Sequence, residues 1–375
     1  MSRVSLSVIK ISRERVSLMD EILVIEAKVS SESLEDDAVS IIQHVKPEWT
    51  KKEIQFKSFT DGITNKLVGV YLKDKPEDVL LMRIYGHNTH LLIDREAEKS
   101  NFRKLHRAGL APRLYAEFDN GLVYEYVRGV TTNPDTIRLP NIFPLVAKTM
   151  AKLHKVHSNI KQPKLWNLGK HMLGLIPRQY NKEEKQKRFN SLFPGGLPQL
   201  HSDWQYLESC LGKTKSPVVF CHNDLLLGNI IYDELEDKVT FIDYEYAGVN
   251  YQAFDIANHF DEYAGVSSID HSRYPGPDHQ LAWLRTYLEE YTGSPPSAQH
   301  LATLHWQVQQ FSPAAHLAWT IWAMVQAEHS DLEFDFFQFG ASAYEGYVMK
   351  RDKYLGSARA PGDITPSSGV EKQGD

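Results

Sequence analysis

The chain has 375 residues, of which 42% are apolar and 24% charged, with seven Trp, eighteen Tyr and sixteen Phe and a formal net charge of −6. That length exceeds one usual domain of ~100–200 residues, and the composition is that of a globular chain rather than a disordered one. A mildly acidic chain without a long basic run is a poor partner for nucleic acid or an anionic membrane.

Cys210 and Cys221 alone cannot build a disulfide framework, which points to a reducing compartment, the cytoplasm. No apolar run reaches the ~20 residues of a membrane span, and Met1 to Asp20 lacks the apolar core of a secretory signal. Arg3, Lys10, Arg13 and Arg15 among serines share the composition of a transit peptide, but frayed N-termini share it too.

In chain order, residues 1–50 read as an N-terminal extension with one helix near Asp36 to His44 that stops before Pro47. Short β-rich runs follow: Gln55 to Phe59, Leu67 to Lys73, Val79 to Tyr85, Arg113 to Phe118 and Leu122 to Tyr126. A helical stretch from Leu92 to Arg107 interrupts them, so residues 51–127 form a small twisted sheet carrying one helix. Residues 128–355 are mostly helical, as in Phe143 to His157, Gln280 to Tyr291 and Thr303 to Gln326, around apolar strands Val218 to Phe220 and Val239 to Ile242. Lys161 to Pro198, rich in Lys, Asn, Pro and Gly, reads as a long loop, and 356–375 as a disordered tail. The class is α+β, in two lobes.

The strongest chemical signal is Cys221-His222-Asn-Asp224, with Asn229 five residues after Asp224, followed by Val239-Thr-Phe-Ile-Asp243-Tyr-Glu245. An apolar strand runs into His-x-Asp, and a second strand delivers another Asp. Phosphoryl transfer needs such a set: a carboxylate to accept the attacking hydroxyl's proton, and an amide oxygen with a second carboxylate to hold Mg²⁺. The spacing from Asp224 to Asn229 equals that of the protein-kinase catalytic loop. Asp224 is therefore the expected proton acceptor, Asn229 and Asp243 the metal ligands, and His222 a loop-organising residue. The bland alternative is a pair of buried hairpin strands with polar turns. Glu245 reads equally as a further metal ligand or a solvated side chain.

These motifs, with Phe59-Thr-Asp-Gly62-Ile-Thr-Asn65-Lys66, Arg83-Ile-Tyr85-Gly and Phe254-Asp255-Ile-Ala-Asn258-His259-Phe, resemble those of the choline/ethanolamine kinase family, from about Phe59 to Gln326. The Asp61-Gly62-Ile-Thr-Asn65 loop and Leu226 look more like the ethanolamine branch than the choline branch. Leu227-Gly228 and Ala257 depart from the pattern of that branch. The resemblance implies the bilobal protein-kinase-like fold shared with choline kinases and aminoglycoside phosphotransferases. It also implies ATP and two Mg²⁺ ions as cofactors, and phosphorylation of ethanolamine as the first step of phosphatidylethanolamine synthesis. Choline kinase or dual-substrate kinase activity is the alternative, and a homodimer is left open.

Residue by residue, the resemblance implies that Gly62, Thr64 and Asn65 cradle ATP phosphates, although one glycine alone reads as an ordinary hairpin turn. Arg83 corresponds to the phosphate-pairing cation and Glu98 to its carboxylate partner, with a surface pair as the alternative. Glu125 and Tyr126, in the linker between lobes, correspond to the adenine contacts. Asp255 either caps a helix or steadies the catalytic loop. Glu262, at i+7 from it, would meet the substrate's ammonium. Trp319 and Trp322, three apart on an apolar helix, read as core packing by themselves and as walls of the amine pocket by resemblance. His154 and His157 read as satisfied or surface histidines rather than zinc ligands, and Cys221 as an inert packed thiol.

Overall fold

In the computed structural model, which describes residues 11–14, 22–30, 32–59, 65–86, 89–266 and 269–355, the chain divides into a sheet lobe and a helical lobe. Among the described residues the sheet has seven strands in the order β1-β2-β6-β7-β5-β4-β3. These are β1 (Ile11–Glu14), β2 (Ile22–Ile25), β3 (Ile54–Phe59), β4 (Asn65–Leu72), β5 (Lys75–Tyr85), β6 (Leu114–Phe118) and β7 (Gly121–Glu125). Helix α1 (Leu34–Val45) buries Ala38, Val39, Ile41 and Ile42 on the β2–β6 side of the sheet, in one apolar cluster with Ile25, Ala116 and Phe118.

Strand β2, helix α1 and Trp49 are thus structural members of the sheet lobe rather than an extension: β2 pairs in parallel with β6, and Trp49 is 2% exposed. Their acidic, serine-rich surroundings hide an apolar face that becomes visible only once the sheet is there to cover it. Helix α2 (Arg95–Arg107) begins behind the Asp94 side chain, which accepts from Ala97 N at 3.0 Å, and buries Glu98, Phe102 and Leu105.

After β8 (Val130–Thr131), the helical lobe contains α3 (Phe143–His154), α4 (Leu165–Leu175), α5 (Glu183–Leu192), α6 (Gly196–Leu211), α7 (Gln252–Asp261), α8 (Pro277–Thr292), α9 (Ala298–His329) and α10 (Phe336–Tyr354). The expected loop from Lys161 to Pro198 is instead α4, α5 and the start of α6. Its loop-like Gly169 is a packing residue: the Trp204 ring occupies the space a Cβ would need. Helix α10 was likewise not expected, because Gly340 and Gly346 dilute its periodicity. Both lie against α9, with Met324 and His316 where their Cβ atoms would be. Among the described residues no helix is long and apolar enough to cross a membrane. Expectations for the tail, for the transit-like residues before Ile11 and for Gly62 and Thr64 lie outside the described residues.

Two small sheets carry the chemistry-bearing loops. Strand β9 (Val218–Cys221) pairs with β12 (Gly248–Tyr251), and β10 (Ile230–Asp233) lies between β8 and β11 (Lys238–Phe241). The register Ile230↔Phe241 sets Asn229 beside Ile242, whose N–H donates to Asn229 O at 3.0 Å.

Candidate active site

Leaving β9, the chain turns at Asn223, whose positive φ of 66° suits Asn better than most residues. The Asn223 amide fixes that turn, giving Nδ2 to Tyr246 O (3.0 Å) and Gly248 O (3.2 Å), while Oδ1 accepts from Asn250 at 2.7 Å. His222 Nε2 donates to Ile242 O at 3.0 Å, tying the loop to the strand that carries Asp243. Asn229 Nδ2 closes the loop on Asp224 O at 2.9 Å.

The loop's anchor is Asp255. Helix α7 begins at Gln252 with Tyr251 as its cap, so Asp255 lies inside the helix and is not a cap. Its carboxylate accepts from His222 N (2.9 Å) and Asn223 N (2.6 Å), and from His154 Nε2 at 2.9 Å. His154 is held from the other side by Tyr287 OH at 2.6 Å, so it is a satisfied buried histidine. His157 is exposed. Cys221 is fully buried, and burial, then Asp255, pushes its thiol well up. It is inert.

Asp224, Asn229, Asp243, Glu245 and Glu262 all line one cavity of about 730 Å³. Asp243 adopts φ 61°, an uncommon conformation for a residue with a Cβ. Burial and then Glu245 raise its carboxyl to about 6 against the pull of Arg83 and Arg95. Asp224 is pushed well above the usual carboxylate range by burial, then by Glu262, Asp243, Glu245 and Asp255. Burial and then Asp261 lift Glu262 to about 8. Hard oxygen donors that crowd one another out of ionisation form a set that a cation relieves.

Glu262 follows α7 in a 3-10 turn, Glu262–Ala264, rather than continuing the helix. Trp319 and Trp322 also line the cavity, 5.5 Å apart and edge to face. Neither indole is free to swing. Trp319 Nε1 donates to Asn258 Oδ1 at 2.7 Å, and Trp322 Nε1 to Tyr246 OH at 2.8 Å. Tyr246, which the sequence reading passed over, forms a third aromatic wall with its ring 5.8 Å from Trp319. Its place one residue after Glu245 in the Asp243 motif was the available signal.

In the sheet lobe, Arg83 forms a buried ion pair with Glu98, and its Nη1 donates to Asp243 Oδ1 at 2.5 Å. Asn65 reaches across with Nδ2 to Glu245 Oε2 at 2.9 Å. Glu125, at the end of β7, gives its N–H to Arg113 O at 2.8 Å, and its side chain accepts from Arg113 N at 3.0 Å. Tyr126 stacks on Phe59 with ring centroids 6.2 Å apart. Arg95 was missed altogether: its guanidinium bridges Glu98 (2.7 Å) and Glu245 (3.2 Å). At the start of a helix it reads as an ordinary i,i+3 partner of Glu98.

A family model described as choline/ethanolamine kinase matches residues 56–348. Ethanolamine kinase 1 of Mus musculus is 45% identical over 326 residues, covering 84% of this chain and 89% of its own. Among solved structures, an ethanolamine kinase of Plasmodium vivax superposes with a TM-score of 0.77 at 26% identity, covering 86% of this chain and 91% of that one. A choline kinase of Cryptosporidium parvum, at 23% identity, shares the fold with a TM-score of 0.71, covering 85% and 96%. With a family model matched over most of its length and a relative of that identity covered nearly end to end, the chain belongs to the choline/ethanolamine kinase family.

Proposed function

We propose that the protein phosphorylates the hydroxyl of ethanolamine with ATP to give phosphoethanolamine. One observation carries the reading: a cavity in which Asp224, Asn229 and Asp243 adjoin a carboxylate and two indoles, in a chain 45% identical to ethanolamine kinase 1. Asp224 accepts the proton of the substrate hydroxyl. The hydroxyl oxygen forms the new bond to the γ-phosphorus, the bond to the bridging oxygen breaks, and ADP leaves with that electron pair.

The donor set fits Mg²⁺: Asp243 and Asn229 would hold it, with Glu245 facing the same cavity. Bound there, the ion neutralises charge on the triphosphate. Arg83, held by Glu98, supplies a planar cation for phosphate oxygens, and Asn65 stands at the end of the phosphate-contacting segment. The linker at Glu125 and Tyr126 offers main-chain groups to adenine. The N–H of Glu125 is already used within the sheet lobe, so the linker's hydrogen bonds to adenine come from other main-chain groups.

Glu262 meets the ammonium while Trp319, Trp322 and Tyr246 present their rings. A primary ammonium keeps N–H donors and gains from a carboxylate, whereas a quaternary amine gains only from ring faces. Purified protein with ATP and Mg²⁺ is therefore expected to show kcat/KM for ethanolamine at least about tenfold that for choline, the size of one lost charged hydrogen bond. Equal or better use of choline overturns the assignment.

Glu262 gives a second expectation. Its carboxyl is raised to about 8, so it is mostly protonated at neutral pH and becomes the ammonium's counter-ion as pH rises through that value. The KM for ethanolamine should fall between pH 6.5 and 8.5. Glu262→Gln should raise KM about 10- to 100-fold and flatten the pH dependence, the loss of one charge-assisted bond. A KM in the variant that still falls with pH would assign the titration to another group.

A further inference from the structure

Arg95 is held in a manner that the chemistry above does not use. It opens α2, where the unpaired N–H groups of a helix disfavour a cation, yet its side chain is only 14% exposed. Its Nη1 forks between Glu98 Oε2 in its own helix and Glu245 Oε2 in the other lobe. Its Nη2 donates to Thr89 Oγ1 at 2.6 Å and Asn65 Oδ1 at 3.4 Å, and the guanidinium lies 3.9 Å over the Tyr85 ring. Asn65 closes the circuit by giving Nδ2 to the same Glu245 oxygen. Two separate stretches of the sheet lobe, at Asn65 and Arg95, thus converge on one carboxylate, two residues beyond Asp243.

We propose that Arg95 is a positioning residue for phosphoryl transfer, tying the two lobes through Glu245 so that the Arg83–Glu98 pair stands at fixed reach of Asp243. Four acceptors and a ring face demand a planar fork of donors. Lysine, a point charge on a flexible stem, cannot reach them together. The inference rests on the ATP-dependent kinase reading, because positioning is read out in nucleotide use.

The test compares the full-length wild type with Arg95→Lys, Arg95→Met, Glu245→Gln and the Arg95→Met/Glu245→Gln pair. KM for ATP should rise about tenfold in Arg95→Met and about three- to fivefold in Arg95→Lys, with KM for ethanolamine within about twofold of wild type. The pair should be no worse than the more damaging single change, since both remove one tie. Amide exchange, which needs no turnover, should quicken over residues 65–72 and 95–107 in both Arg95 variants. Should Arg95→Met fail to fold, Arg95→Lys, which keeps the buried charge, carries the test. A wild type that does not phosphorylate ethanolamine would fail the kinase reading while exchange still judged the tie. An ATP KM within about twofold of wild type in the Arg95 variants, independently multiplying single effects, or unchanged exchange would overturn the proposal.

Discussion

Asp224→Asn should lower kcat about a thousandfold or more while nucleotide affinity stays within a few-fold of wild type. The substitution keeps shape and volume and leaves the loop's fastenings untouched. Those run through Asp224 O to Asn229, His222 Nε2 to Ile242 O, and the His222 and Asn223 amides to Asp255. What it removes is the proposed proton acceptor. Burial and the surrounding carboxylates raise the Asp224 pKa, so the charged form that acts as base is populated only as pH rises, and wild-type kcat should climb with pH. An amide accepts no proton at any pH in that range, and the small residual rate should lose the climb. Steady-state kcat against pH, with calorimetric titration of the nucleotide, checks both parts. A variant that keeps a tenth of wild-type turnover would remove Asp224 from the proton-accepting role.

The segments that meet at the cavity were legible because they combine periodicity with spacing. Apolar strands must lead into Asp224 and Asp243, and the hairpin register must then bring Asn229 beside them, so few other folds fit the string. Glu98 and Arg83 needed family likeness, since an acid on a helix and a cation on a strand are commonplace separately. What stayed hidden shares one cause: its meaning lies in a partner far along the chain. Arg95 looks like a local pair of Glu98 until Glu245, 150 residues away, is folded against it. Asp255 looks like a cap, and His154 like a stray histidine, until the fold brings the two side chains together at 2.9 Å. Helices α4 and α5 were masked by Gly169 and by charged residues whose apolar neighbours find cover only against α6, α9 and α10. A window of one element's length contains none of these facts.

That junction makes Asp255→Asn the change with the largest expected cost in stability. One buried carboxylate accepts from two successive backbone N–H groups and from His154. An amide offers a single oxygen in place of two and turns a donor toward another donor, leaving at least one buried N–H unpaired. Removing one partner from a buried ionic network costs ~3–5 kcal/mol, which chemical denaturation should report. Burial alone would raise the Asp255 carboxyl. The hydrogen bond and charge of His154, the charge of His222 and its backbone N–H together bring it below its ordinary value. A lowered acid gives its full stabilisation above the unfolded value near ~3.9 and loses it as pH falls through the folded one, so the deficit should stay constant from pH 6 to 8. Molecules of Asp255→Asn that remain folded should also lose about a hundredfold in kcat, because the His222–Asn223 backbone sets where Asp224 points. His154→Phe separates the two effects: it removes one bond to Asp255 yet leaves both loop amides paired, so stability should fall with kcat within about threefold of wild type. If His154→Phe loses turnover as deeply as Asp255→Asn, the anchor acts on stability alone, and the position of Asp224 depends on something other than those two amides.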